Sequence, residues 1–325
     1  MRAASSIAAA ARWVRPGGIA VLLPLAAWAV LAAVPWIGVE PNLVRLLFIT
    51  FIWTITGIAW NLLGGFAGQV SFGFAVFYGL GAYTTALLIN DGVHPYLAFG
   101  ASALVASLAS LIVGVPTFRL RGPYFAIATI GVSETVRVIM TNLAITGGAS
   151  GYRIVEKRPF DQAEHFYSAL VLLTVSFLLS VWIARSKFGL GLVAIRDHES
   201  AAADVGVNPL THKLAVHGLA AALAAMAGGV YARYAAFIHP QGVFAFNTSV
   251  YIVLIPVIGG LGTLWGPVLG GVIFGIVEEQ LVATFPEAHL LIYGALLILI
   301  VLLEPGGIIG IARKVWRHRR LRSAR

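Results

Sequence analysis

The chain has 325 residues, of which 59% are hydrophobic and only 11% are charged, against about 25% charged residues in a typical soluble domain. This balance excludes a water-soluble globular protein, and the absence of cysteine excludes a disulfide framework and cysteine-ligated zinc. The net charge of +9 does not indicate nucleic acid binding, because most basic residues lie in short loops and one tail. The composition predicts an integral membrane protein.

Long charge-free intervals alternate with short charged segments, and a helix needs about 20 apolar residues to cross a bilayer. The pattern predicts an all-α membrane protein with about ten transmembrane helices, at residues 18–38, 43–63, 70–90, 96–116, 123–145, 166–184, 213–236, 247–263, 266–285 and 288–304. The third and eighth helices are rich in glycine, which leaves open whether they span fully or are broken. We interpret residues 18–312 as one transmembrane domain, preceded by a cytoplasmic segment 1–17 and followed by a basic cytoplasmic tail 313–325.

The distribution of basic residues predicts the orientation, because cytoplasmic loops of membrane proteins are enriched in Lys and Arg. With both termini in the cytoplasm, sixteen of the 22 basic residues fall on that side, including all seven in the tail. The apolar run at 5–11 is short and is followed by Arg12 and Arg15. We therefore interpret 18–38 as a retained first helix rather than part of a cleaved signal peptide.

The motif GGFAGQVSFG (64–73) has four glycines in ten residues, each costing a helix roughly 1 kcal/mol relative to alanine. Backbone released from a helix inside a bilayer must face protein or water. One interpretation is a broken helix that lines a translocation path, with the polar residues Gln69, Ser71 and Thr129 facing that path. The other is close helix packing through small residues, which we favour for the similar motif GPVLGGVIFG (266–275).

Ionisable residues inside membrane spans are costly and are candidates for function. Glu134 and Arg137 lie three residues apart on the fifth predicted helix and therefore share a face on which they can pair. Glu134 is a candidate for the translocation path, and the alternative is a structural ion pair that braces two helices. Arg233, near the outer end of the seventh helix, is expected to extend its guanidinium to the membrane surface.

The segment GLVAIRDHESAAADVGVNPLTHKL (191–214) is a charged, alanine-rich stretch between the sixth and seventh helices. It predicts a short helix with Asp197 as N-cap, Gly206 as left-handed C-terminal cap and Pro209 beyond it. One interpretation is a helix that docks in a groove of a second protein, with a small face of Ala201, Ala202 and Ala203 and exposed polar contacts from Arg196 and Glu199. The other is a solvated linker.

This segment is similar to the EAA loop of bacterial ABC importer permeases, which docks on the ATPase subunit. Three further stretches, in the same order along the chain, resemble the LivM-type permeases of branched-chain amino acid ABC transporters. They are NLLGGFAGQVSFGFAVFYGLGAYTTALL (61–88), LRGPYFAIATIGVSETVRVIMTN (120–142) followed by TGGASG (146–151), and VIGGLGTLWGPVLGGVIFGIVEE (257–279).

The resemblance implies the permease fold of vitamin B12-type (type II) ABC importers in a bacterial inner membrane, with residues 185–212 as the cytoplasmic coupling loop. The implied partners are a LivH-like second permease, two ATP-binding subunits and a periplasmic binding protein. We expect the external loop 146–165 to contact the binding protein because it is the longest external loop, and the alternative is a solvated connector. The chain contains no G-x-x-x-x-G-K-[ST] loop, so ATP is expected on the partner subunits and no cofactor on this chain.

Branched-chain amino acids are the substrate that the resemblance implies, and relatives also carry urea, short amides, other amino acids or aromatic acids. Two other functional classes remain as alternatives. A secondary transporter or channel would need ion-coupling carboxylates at mid-membrane depth, for which Glu134 is the candidate. A membrane-embedded enzyme would need a catalytic group of residues that the sequence does not display.

Overall fold

The computed structural model describes residues 31–156, 158–284, 288–303, 306–311 and 314. The segment 1–17, most of the predicted first helix, residue Lys157 of the external loop, and all of the basic tail except Lys314 lie outside the described residues. The α-helices are α1 (Pro41–Asn61), α2 (Ala75–Asn90), α3 (Pro95–Thr117), α4 (Pro123–Asn142), α5 (Gln162–Arg185), α6 (Lys187–Asp197), α7 (Glu199–Asp204), α8 (Pro209–Ala235), α9 (Pro240–Val243), α10 (Phe246–Gly259), α11 (Gly266–Thr284) and α12 (His289–Leu303). The architecture of the described residues is therefore helical, as the composition predicts.

Two short strands form a hairpin-like pair that joins distant loops. Strand β1 (Tyr152–Arg153) pairs antiparallel with β2 (Phe237–Ile238), with Tyr152 opposite Ile238. We call the end of the helices at which these strands lie the hairpin end. The opposite end, which carries α6 and α7, is called the loop end.

Six helical segments in the described residues are long and apolar enough to cross a membrane, namely Pro41–Phe66, Pro95–Thr117, Pro123–Asn142, Gln162–Arg185, Pro209–Ala235 and Pro240–Gly259. They coincide with predicted spans, and proline in the first turn of α1, α3, α4 and α8 accounts for four of the start points. The predicted span 70–90 differs, because α2 begins only at Ala75 and has 16 residues. Ten spans therefore remain a prediction.

Small residues bring the helices of the core into close contact. Helix α11 packs on α1 and α10. A methyl group added at Gly271 or Gly275 would collide with Thr54 or Thr50 of α1, respectively. The structure thus confirms the packing interpretation of 266–275. Helix α8 is the centre of the other half of the fold, because it packs on both α2 and α3.

Candidate functional site

The helix that contains GGFAGQ is broken, as one sequence interpretation proposed. Helix α1 ends at Asn61 and continues as a single π-helical stretch, Leu62–Phe66. Gly68 then adopts a φ of +71°, which a residue with a side chain rarely adopts. Regular helix resumes only at Ala75. Residues 67–74 are therefore an irregular segment between two helices, and we call them the α1–α2 break.

Side-chain hydroxyls satisfy the backbone of this break. The Thr129 hydroxyl accepts a hydrogen bond from the Phe72 amide at 3.0 Å, and the Ser249 hydroxyl accepts one from the Ala75 amide at 3.0 Å. The Ser71 hydroxyl accepts one from the Gly73 amide at 3.2 Å. Such partners are required because lipid offers none.

These contacts correct the expectation that Ser71 and Thr129 face an open path. Both side chains are buried, with 2% and 4% exposure, and both are bonded to backbone. Ser249 belongs to the same set and was missed by the sequence interpretation. It lies on α10, 174 residues from Ala75, so no local pattern connects the two positions.

A second break lies between α10 and α11, in the GGLGTLW stretch. The Asn61 side chain joins it to the end of α1. Its Oδ1 accepts from the Gly262 amide and its Nδ2 donates to the Thr263 carbonyl, both at 2.9 Å. Asn61 is 1% exposed. The buried Asn61 amide therefore holds the two breaks together. An Asn inside an apolar span is the sequence feature that could have predicted this contact.

Arg196 of α6 lies in the notch between the two breaks. Its Nη1 donates to the Gly65 carbonyl at 2.9 Å. The Arg196 side chain also leaves no room for a methyl group at two glycines. A Cβ added at Gly68 would lie 2.6 Å from Arg196 Cγ, and one added at Gly262 would lie 2.9 Å from Arg196 Nη1. The side chain is 31% exposed. Arg196 is thus an exposed residue, as expected, that also contacts the membrane helices of its own chain.

Residues 187–204 form two helices rather than one. Asp197 is the last residue of α6, and His198 occupies the N-cap position of α7, so the prediction of Asp197 as N-cap is wrong. Gly206 has a φ of +87°, as predicted for the residue that follows the short helix. Proline at position 209 begins α8, which the Asn208 side chain caps by accepting from the Thr211 amide at 3.3 Å.

The alanines of α7 do not form one exposed face. Ala201 is exposed, as is Ala203, but Ala202 is only 3% exposed and packs inside the chain. The expectation that Ala202 meets a partner is therefore wrong. The exposed positions of α7 are the ones that remain accessible to another protein.

Glu199 forms an ion pair with a buried lysine. Its Oε2 lies 2.8 Å from Nζ of Lys213, whose side chain is 3% exposed, whereas the Glu199 side chain is 35% exposed. Both residues line a cavity of about 250 Å³ that also includes Gln69 and Arg121. The structure thus brings Gln69 of the α1–α2 break and Glu199 of the loop end into one polar cavity. Glu199 is not a free surface contact.

Glu134 and Arg137 pair within α4, as their spacing predicted. Arg137 Nε donates to Glu134 Oε2 at 2.9 Å, and Nη2 also contacts Oε1. The Glu134 side chain is 52% exposed, whereas the buried residues of α4 are Phe125, Thr129 and Ser133. The pair therefore lies on a face of α4 that the rest of the described chain leaves uncovered.

Arg233 is buried within the chain rather than extended into open solvent. Its side chain is 2% exposed and makes two hydrogen bonds of 2.9 Å to Glu156 and one of 2.9 Å to Glu164. This bidentate pair ties α8 to the loop before α5 at the hairpin end. Two of the acidic residues expected to contact a binding protein are thus engaged within the chain. Among the residues described, no group of three or more His, Asp or Glu could hold a metal ion.

Comparison with known proteins adds a family to this geometry. Residues 42–301 match the protein family described as "Branched-chain amino acid transport system / permease component". The chain is 30% identical to the high-affinity branched-chain amino acid transport system permease protein LivM of Salmonella typhimurium, over 86% of this chain and 73% of that protein. It is 24% identical to the probable permease LivM of Methanocaldococcus jannaschii, over 82% and 93%, and 22% identical to the permease LivH of Escherichia coli K12, over 79% and 91%. No solved structure matches.

Proposed function

Because the chain belongs to the family of permease components of branched-chain amino acid transport systems, we propose that it is one of two permease subunits of an ABC importer for branched-chain amino acids. In this proposal it pairs with a LivH-like second permease, two ATP-binding subunits hydrolyse ATP, and a periplasmic protein delivers the substrate. The names of the relatives, which include both LivM and LivH proteins, support this assembly.

We further propose that the chain has ten spans and the type II permease fold, with both termini in the cytoplasm of a bacterial cell. The loop end would then be cytoplasmic and the hairpin end periplasmic. Support comes from the basic residues of the loop end, which include Arg119, Arg121, Arg185, Lys187 and Arg196. Cytoplasmic loops are enriched in such residues.

The single observation that carries the mechanism is the contact of Arg196 with the Gly65 carbonyl. It joins α6, in the proposed coupling segment 185–212, to the α1–α2 break and to Gly262 of the second break. A hydrogen bond from a charged donor contributes about 1.5–3 kcal/mol, so movement of α6 would displace the backbone of both breaks. ATP-driven closure of the ATPase subunits would displace 185–212, through exposed positions such as Ala201 and the turn at Gly206.

Displacement of the breaks would then open the membrane path to the loop end. The path would lie along the uncovered face of α4, which carries Glu134, and beside the cavity that contains Gln69. Alternating access is the general consequence of two such arrangements of one set of helices. Irregular backbone at membrane depth is compatible with this, since it is tolerated where it is buried in protein or lines a water-filled cavity.

The experiment is ATP-driven uptake of leucine into liposomes that contain this chain, the second permease, the ATPase subunits and the binding protein. We expect uptake of leucine and little uptake of urea, acetamide or benzoate. Saturable uptake of one of those compounds without leucine uptake would contradict the substrate. Leucine uptake driven by an ion gradient without ATP would contradict the importer mechanism.

A variant of Arg196 tests the coupling step in the same liposomes. Arg196→Gln should lower leucine uptake at least about tenfold while the complex still assembles, because the charge-assisted bond to Gly65 is lost. The matched control is Arg119→Gln, which removes an exposed arginine at the same end. If both variants transport like the unmodified protein, Arg196 does not transmit movement.

A further inference from the structure

A cavity of about 370 Å³ lies at the hairpin end, apart from the two breaks and from the cavity that contains Gln69. Residues of α1, α2, α8, α10 and α11 line it, together with residues of strand β2 and helix α9. Small-molecule sites typically occupy about 300–1,000 Å³ and combine apolar walls with a few polar groups. The composition of its wall therefore indicates what it can bind.

Aromatic rings form much of this wall. The Trp53 ring stacks on Tyr78 with 6.4 Å between ring centroids and meets Tyr251 edge-on at 5.8 Å. Tyr78 in turn lies 5.9 Å from Tyr231. Electron-rich ring faces that surround a pocket attract organic cations, which is the principle of aromatic cages for ammonium groups.

A carboxylate stands next to these rings. Glu278 of α11 lines the cavity together with Tyr78, Tyr231 and Tyr251. A carboxylate has about four lone-pair sites, so it can accept from a ligand in addition to its contacts within the chain. A carboxylate beside aromatic rings is the arrangement that recognises an ammonium ion.

An exposed arginine also lines this cavity. Arg45 of α1 is 49% exposed and lies 2.6 Å from Glu279, which holds its Nη2. The guanidinium has five N–H donors in a planar fork, and this ion pair occupies only part of them. The remaining donors suit a ligand carboxylate, because arginine binds planar oxyanions well.

Aliphatic side chains complete the wall. Ile49 and Ile52 of α1 and Val243 of α9 line the cavity together with the aromatic rings. Apolar surface removed from water contributes roughly 25 cal/mol per Å², so a ligand with an apolar side chain gains from entering. The cavity thus offers an anionic group, a cationic group and an apolar wall.

We propose that this cavity binds a zwitterionic amino acid with an apolar side chain, with its ammonium group at Glu278 and the aromatic rings and its carboxylate at Arg45. The inference rests on the proposed function, since it takes its substrate class from there. It adds a binding site within this one chain, at the end of the protein opposite to Arg196. The permease then selects its substrate as well as conducting it.

The test is equilibrium binding of radiolabelled leucine to the permease complex in lipid nanodiscs, without ATP and without the binding protein. We expect saturable binding that falls at least about tenfold in Glu278→Gln and in Arg45→Gln, because each loses a charge-assisted contact. The matched control is Glu40→Gln, which removes an exposed carboxylate at the same end but outside the cavity wall. Binding in this control should be unchanged.

A ligand series on the unmodified complex keeps the test independent of whether the variants fold. Competition should be strong for isoleucine and weak for 4-methyl-2-oxopentanoate, which lacks the ammonium group, and for isopentylamine, which lacks the carboxylate. Equal competition by either analogue would overturn the assignment of the corresponding charged residue. Absence of saturable leucine binding, with ATP-driven leucine uptake by the full complex intact, would overturn the site and leave the proposed function standing.

Discussion

Replacing Glu199 with glutamine removes the charge that compensates the buried ammonium of Lys213. The two charged atoms lie 2.8 Å apart, and the side chains are 35% and 3% exposed, respectively. Breaking a fully buried pair costs about 3–5 kcal/mol, whereas breaking an exposed pair costs about 0–1 kcal/mol. With one partner buried and the other partly solvated, we expect Glu199→Gln to lower the free energy of unfolding by about 2 kcal/mol.

The assay is thermal unfolding of the purified chain in detergent, measured for both single variants and the double variant. A loss of about 2 kcal/mol corresponds to a decrease in Tm of roughly 4–8 °C, at about 2–4 °C per kcal/mol. The double variant Glu199→Gln/Lys213→Met should recover most of this loss, because it leaves no buried charge without a partner. A double-mutant cycle isolates the pairwise term.

The control is Asp204→Asn, which neutralises an exposed carboxylate on the same helix, α7. It should change stability by no more than about 0.5 kcal/mol. The reasoning is refuted if Glu199→Gln is as stable as this control, or if the double variant is less stable than Glu199→Gln alone. Either result would mean that the lysine is not held by Glu199 in the folded protein.

Two further predictions concern packing and the α1–α2 break. Gly271→Ala should destabilise the chain by about 1–3 kcal/mol in the same unfolding assay, since the added methyl group collides with Thr54. Gly100→Ala, where nothing lies within 4 Å of the added methyl group, should be neutral or stabilising, and equal effects would contradict the packing. Thr129→Val should cost about 1–3 kcal/mol because it leaves the Phe72 amide without its acceptor, and no measurable loss would show that the hydroxyl is dispensable there.

The sequence by itself determined the class of protein and most helix positions. Lipid requires a run of about 20 apolar residues for each helix, so largely charge-free intervals predicted the segments that the structure shows as α1, α3, α5 and α8. Helix α4 was predicted as well, although it carries Glu134 and Arg137. Local backbone chemistry also determined where regular helix stops, since the glycines of GGFAGQ predicted the break and Gly206 predicted the positive φ. Proline and glycine act on their immediate neighbours, so a single sequence is enough to read them.

Only the tertiary structure decided which polar groups meet. Asn61 bonds to residues about 200 positions away, and Arg196 bonds to a carbonyl 131 positions away. Periodicity places a side chain on a helix face but does not say what covers that face. For this reason the sequence did not predict that Arg196 bonds to the α1–α2 break or that Glu199 neutralises a buried lysine.

The same reason explains why the sequence did not predict the burial of Ala202 and Arg233. An alanine in a short helix has no signal for burial, because its small side chain suits both a packed and an exposed position. A lone arginine near the end of an apolar span indicates an extended side chain unless carboxylates from a distant segment reach it, as Glu156 and Glu164 do. The lipid bilayer requires long apolar helices, and the sequence alone reveals where they lie. Long-range pairing of the few polar groups determines how those helices are joined.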